Sequence, residues 1–302
     1  MIRPFPKPRA PAPCHPKHLR PPGRKRMTAI VGLNYLDGIL MLADTEESLD
    51  AYAKSECDKL YRFVSKTGTL VLGGSGDSHL IACAEQDLYK LFKSQEAIPA
   101  PQVADALDIF AKEFFDETIA PLARAGVDAS MQMLIGVHCY GDGTGLFHWA
   151  HNRVVEIDKS NSVSIGFGIR QTHPMLRDVQ ACGSKECMLL HGLRIMYHTK
   201  RTVSGVGGKT EALALQSDGS IHYFGTDTTQ KIEDLIAHYE HFLRTSVEGN
   251  VFTLVASQPE IEEQLQNNID RNIDQLPSDL RNFREQYRHI LKEQLPKGRS
   301  SR

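Results

Sequence analysis

A chain of 302 residues holds one large domain with appendages, or two small ones. Its 35 basic and 37 acidic residues nearly cancel, which argues against a dedicated nucleic-acid binder, and no run of about eighteen apolar residues exists to span a membrane as a helix. The six cysteines (14, 57, 83, 139, 182 and 187) include no Cys-x-x-Cys pair and read as reduced, mostly buried thiols of a cytoplasmic protein.

Residues 1–26 are crowded with Pro, Lys and Arg and contain no acidic residue, so they cannot bury enough apolar surface to offset their ordering entropy. Disorder is expected there, and Arg24-Lys25-Arg26 reads as a short, inert basic tail. Met27 follows and is a candidate true start of translation. From there the texture is that of strands. Thr28 to Tyr35 and Ile39 to Ala43 are apolar runs joined at Asp37-Gly38, a strong hairpin signal. Asp58–Val64 and a strand from Thr69 form a second pair.

Ser78–Lys93 then carries Leu80, Cys83, Ala84, Leu88 and Phe92 on one helical face, and Gln102–Ala123 continues as a second helix. Strands are expected over Met131–Cys139 and from Gly145, a third helix from Met175 to about Thr199, and a hairpin from Thr210 to Phe224. A helix from Thr229 to Leu243 and a late strand around Val251–Ala256 close a domain spanning 27–258. Strand pairs on tight turns with helices between the blocks predict an α+β class: antiparallel sheets inside a four-layer αββα sandwich. Residues 259–302 form a C-terminal extension of two helices broken at Pro277, with Ser278 capping the second.

The stretch from Thr28 to Asp44 resembles the opening of a proteasome β-type subunit, and also the smaller bacterial relatives of that family of N-terminal-nucleophile hydrolases. In the family a mature N-terminal Thr begins the first strand and an Asp follows sixteen residues later; Asp44 has that spacing. Lys59, in Cys-Asp-Lys-Leu-Tyr-Arg-Phe, matches the family lysine, with the intervening loop one residue shorter than usual. Gly73-Gly74 matches the Gly pair that closes a buried strand, and the run from Gly207 matches the last hairpin of the catalytic domain.

The resemblance implies a compact chemistry. A Thr hydroxyl needs a base, and an N-terminal Thr carries one in its own α-amine, with a pKa of roughly 8. Lys59 would hold that amine's pKa down and polarise the hydroxyl, Asp44 would hold Lys59, and the Gly73 N–H would donate to the oxyanion. Two departures stand out. Phe167 occupies the place of a Ser in a Gly-Ser-Gly-like turn, and no acid precedes Gly207, where Ser204 serves only if the loop shifts by two residues.

Val203 to Thr210 nearly spells a phosphate loop, but Val203 replaces the first Gly and a strand follows, so no nucleotide, cofactor or metal site is expected. The implied protein is a cytoplasmic threonine peptidase acting through Thr28 on peptides or unfolded proteins, within a homo-oligomeric ring, with neither nucleic acid nor membrane as partner and any ATPase partner unspecified. The alternatives are an amidohydrolase of the same class and an inert assembly protein on the same fold.

Overall fold

The computed structural model describes residues 28–48, 54–65, 68–94, 100–139, 143–177, 179, 184–255 and 278–292. The basic tail and residues 259–277 of the extension lie outside them. Strands β1 (Ala29–Tyr35) and β2 (Gly38–Asp44) are followed by the short β3 (Glu46–Ser48) and β4 (Lys54–Glu56), then β5 (Leu60–Val64) and β6 (Gly68–Gly76). Helix α1 (Ser78–Ser94) precedes α2 (Ala100–Phe114), which runs through a π-helical turn at Phe115–Ile119 into α3 (Ala120–Arg124). Next come β7 (Met131–Cys139), β8 (Gly143–Ala150), β9 (Arg153–Ile157), β10 (Ser162–Gly166), α4 (Ile169–Arg177) and α5 (Lys185–Thr202). The chain closes with β11 (Thr210–Gln216), β12 (Ile221–Phe224), α6 (Thr226–Val255) and a helix α7 over 278–292.

Two five-stranded sheets result, ordered β10-β1-β2-β11-β12 and β5-β6-β7-β8-β9. In the first, β1 pairs antiparallel with β2 and β10, and β2 with β11; in the second, each strand pairs antiparallel with the next. Side chains alternate across each strand and so divide between two cores. Ile30, Ile39 and Met41 of the first sheet meet Val71, Leu134 and Leu146 of the second in one apolar cluster. The alternate residues Leu70, Leu72, Met133 and Trp149 turn the other way and pack with Leu88 of α1 and Leu107 and Phe114 of α2. Phe110 and Phe114 both set their edges against Trp149 with ring centroids 5.5 Å apart. On the first sheet α5 contacts β1 and β2, and a Cβ added at its Gly192 would come 2.6 Å from Leu42 Cδ1. Burial on both faces explains why these strands read as nearly unbroken apolar runs.

The structure divides into two compact units, Met1–Tyr223 and Phe224–Arg302. Within the second, α6 and α7 meet through Tyr239 and Phe283, ring centroids 5.0 Å apart.

Several expectations are corrected. The helix expected from Met175 to about Thr199 is two helices, because Ser184 takes extended backbone and its side chain accepts the Cys187 N–H at 3.2 Å, starting α5 anew. The late strand at Val251 is instead the end of α6, where helix continuation overrides the β preference of Val251, Phe252 and Thr253. Strands β3, β4, β9 and β10 were not legible, being short and of mixed polarity. Cys83 is disulfide-bonded, against the expectation of reduced thiols throughout.

Leu134 is fully buried where the two sheets meet. Leu134→Ala should cost about 2–5 kcal/mol by emptying that layer. Val155→Thr, on an exposed β9 position, should stay within about 0.5 kcal/mol. Equal effects in chemical denaturation would contradict this division of the core.

Candidate active site

Thr28 stands immediately before β1, 4% exposed, with its backbone wrapped by the turn after β10. Its carbonyl accepts the Phe167 N–H at 2.8 Å. Gly166 takes φ +91° there, and a Cβ on it would lie 2.1 Å from Thr28 O, so only glycine allows so close an approach. The β1–β2 hairpin brings Asp44, at the far end of β2, back beside Thr28. Asp44 is fully buried; its Oδ1 accepts the Ala29 N–H at 2.9 Å, and its Oδ2 accepts the Gly207 N–H at 3.3 Å.

Lys59 precedes β5 and reaches across from the other sheet, 8% exposed. Its ammonium has three donors, and the structure supplies three acceptors: Thr28 Oγ1 at 3.2 Å, Asp44 Oδ2 at 3.0 Å and the Glu46 carbonyl at 2.6 Å. A buried cation so fully satisfied is held in one place. Burial pushes the Asp44 carboxyl upward, opposed by the Lys59 charge and by the Ala29 and Gly207 amides. All of these partners donate to Asp44, so the carboxylate is the form they hold.

Glu211 of β11 belongs to this arrangement, although sequence reasoning assigned it no role. Its Oε2 accepts the N–H groups of Lys59 at 2.8 Å and Leu60 at 3.1 Å, fixing the backbone from which the Lys59 side chain departs. An acid inside the apolar strand Thr210–Gln216 was the available signal. Burial pushes its carboxyl up to about 8, with a hydrogen bond to the Asp58 side chain adding to the shift.

Thr28, Asp44 and Lys59 are thus brought together. Gly73 sits within β6, in register with Leu60 and Leu134. Hydrogen bonding alternates along antiparallel pairs, and the Ser65 N–H bond to Gly68 O and the Asp77 N–H bond to Ser130 O set the same phase. Both turn the Gly73 N–H toward β7. The β6 residues that line the cavity beside Thr28 are Gly74 and Gly76, together with Lys59, Tyr61, Ile81 and Glu85 among others. Ser204 lies exposed on the turn after α5 and takes no part in the bonds joining Thr28, Asp44 and Lys59. Phe167 is exposed and serves Thr28 only through its backbone N–H.

The fold is that of proteasome-like proteins. It superposes on Anbu, the ancestral beta-subunit, from Yersinia bercovieri with a TM-score of 0.60 at 18% identity, over 72% of this chain and 96% of that one. The Anbu complex of Pseudomonas aeruginosa, solved as a helical assembly, gives 0.58 at 17% identity, over 71% and 95%. In sequence the chain is 28% identical over 131 residues to proteasome subunit beta type-2 of Saccharomyces cerevisiae, covering 41% of this chain and 49% of that one. It is 29% identical over 128 residues to proteasome subunit beta type-10 of Mus musculus, covering 40% and 45%. The aligned stretch spans about half the length of these curated relatives. No family model matches the chain, and among the described residues no helix is long and apolar enough to cross a membrane.

The raised Glu211 value gives stability a pH dependence. Its ordinary value is 4.5, so from 4.5 to about 8 the folded state keeps a proton that the unfolded chain releases. The stability this group contributes is present below 4.5 and is lost as pH rises toward about 8. The melting temperature should therefore fall across that window. Glu211→Gln, neutral at every pH and still able to accept from both amides, should flatten part of the fall. Glu85, also pushed up to about 8 by burial, accounts for a further part. Parallel wild-type and variant curves would refute the assignment.

Proposed function

We propose that this protein is a threonine peptidase of proteasome type, a cytoplasmic N-terminal-nucleophile hydrolase built as a four-layer αββα sandwich, with Thr28 as nucleophile. One observation carries the reading: the Lys59 ammonium touches both Thr28 Oγ1 and the buried Asp44 carboxylate, beside a cavity open to substrate. The similarity to proteasome β-type subunits supports it.

In this reading the chain is cut between Met27 and Thr28, or the initiator Met is removed, so that the Thr28 amine is free. That amine takes the hydroxyl proton as Oγ1 attacks the peptide carbonyl carbon. The proton passes to the leaving amine as the C–N bond breaks, and water then hydrolyses the Thr28 ester. Lys59 stabilises charge on Oγ1, Asp44 and Glu211 keep Lys59 in position, and the main-chain amides of Gly74 and Gly76, which alternate away from β7, serve the oxyanion. Ser204 assists only after a shift of its turn toward Thr28.

N-terminal sequencing and intact mass of the native protein should find Thr28 first; a mature chain that retains Met27 has no free base and sinks the reading. Thr28→Ala should abolish cleavage of a fluorogenic peptide panel. Lys59→Arg should lower it by at least about a hundredfold, because a guanidinium cannot meet the three acceptors around one nitrogen. Asp44→Asn should lose activity and also about 3–5 kcal/mol of stability, by leaving Lys59 buried without its counter-charge. A wild type that cleaves small amides but no peptide would instead be an amidohydrolase.

We further propose a closed homo-oligomer, as expected when heterologous contacts between copies close on themselves. Sedimentation should detect it, and a monomer at micromolar concentration would overturn it.

A further inference from the structure

Two carboxyls from distant parts of the chain meet beside the backbone of Lys59. Glu211 Oε2 accepts the N–H groups of Lys59 and Leu60, and its carboxyl is hydrogen-bonded to the side chain of Asp58. Ionised carboxylates only accept, so a bond between two of them needs a proton on one. Glu211 therefore grips residues 58, 59 and 60 in succession, the first through that proton and the others through their amides. The Tyr61 hydroxyl donates to the Asp58 carbonyl at 3.3 Å and closes the same short turn.

The two carboxyls differ in their access to water. Glu211 is 3% exposed, whereas Asp58 is exposed and lines the cavity beside Thr28. On the face that Glu211 shares, β2 offers the apolar Ala43, Met41 and Ile39. From the other sheet, β5 brings Tyr61, β6 has no titratable side chain, and His138 of β7 faces Asp218, beyond the far end of β11. His222 of β12 turns to Lys185 and Glu186, and α5 itself packs on Leu42, behind the sheet. Tyr223 of β12 brings no positive charge. Lys209 stands just before β11, its N–H bonded to Thr45 Oγ1, and the Lys59 ammonium is spent on Thr28, Asp44 and Glu46. The groups that act on the Glu211 carboxyl are Asp58 and the two amides.

We propose that the proton shared by Asp58 and Glu211 is a latch that holds Lys59 against Thr28, and that its loss at alkaline pH switches the site off. The proposal rests on the peptidase reading for its effect on turnover, whereas the latch itself does not. When the proton leaves for solvent, Glu211 becomes a buried carboxylate next to a second carboxylate. Hydrating it requires residues 58–60 to part from β11, and the Lys59 side chain moves with its backbone. Neither acid bonds to Thr28 Oγ1, so both act through Lys59 as positioning residues. Burial and the Asp58 contact push the Glu211 carboxyl up to about 8, which sets where the latch opens.

Two measurements on the full chain test this. In the wild type, kcat for a fluorogenic peptide should fall about tenfold from pH 7 to pH 9, as the latch opens. In Asp58→Asn the amide N–H donates to Glu211 at every pH, so the alkaline limb should move up by about one pH unit or more. Glu211→Gln, which accepts from both amides and donates to Asp58, should move it likewise. A side chain that merely supports the fold would lower kcat at every pH and leave the limb in place. A limb unmoved in these variants overturns the proposal.

The second measurement does not depend on turnover. In the Thr28→Ala chain, hydrogen-exchange protection of the Lys59 and Leu60 amides should fall about tenfold or more between pH 7 and pH 9. Adding Asp58→Asn should hold that protection steady. A pH-dependent loss without any cleavage by the wild type would keep the latch and discard the peptidase. Protection that stays constant from pH 7 to pH 9 would discard the latch even if peptides are cleaved.

Discussion

A buried ammonium is the constraint on which this site depends. Lys59 is removed from water and must find three acceptors, because an unsatisfied buried charge costs several kcal/mol. Those acceptors come from three places in the chain: Thr28 before β1, Asp44 at the end of β2 and the Glu46 carbonyl of β3. Satisfying Lys59 therefore fixes where the N-terminal strand begins relative to the loop that leads into β5. The demand that makes the charge tolerable also delivers an ammonium to a Thr hydroxyl, so stability and chemistry arise from one set of bonds.

The sheets make those bonds possible. Asp44 and Lys59 belong to different sheets, and the apolar layer of Ile30, Met41, Val71 and Leu134 sets the separation that their side chains cross. Two acids pin the ends. Glu211, from β11 beside β2, holds the Lys59 and Leu60 amides, while Asp44 itself holds the amides of Ala29 and Gly207. Side-chain carboxylates thus replace the ladder bonds that end where the strands end, the usual way buried amides at element termini are satisfied. The result is a rigid floor on one side of the cavity, with α1 providing a wall that carries Glu85.

The two departures from the family pattern now have physical content. At Phe167 the turn acts on Thr28 through a backbone N–H, and the indispensable feature is Gly166 at φ +91°, which the sequence retains. The side chain at 167 points to solvent, so the change from Ser removes a hydroxyl without disturbing the Thr28 backbone. Ahead of Gly207 the missing acid leaves Lys59 and Asp44 their mutual contact, and the Gly207 amide still reaches Asp44 Oδ2.

The sequence by itself determined the longer apolar strands, most of the helices and three members of the candidate site. Apolar periodicity and the Asp37-Gly38 turn specify the first hairpin, and fixed spacings mark Thr28, Asp44 and Lys59. These were legible because they depend on local pattern and on intervals along the chain. Tertiary structure alone decided the rest, for these features depend on neighbours far apart in sequence. Glu211 and Glu85 read as ordinary polar positions until burial makes one a backbone clamp and leaves the other without a donor. The direction of the Gly73 amide follows from pairing with β7, some sixty residues away, and no local signal records it. The end of α6 reads locally as a strand for a similar reason, since the β preference of Val251 to Val255 is weak beside the cooperativity of a helix already formed.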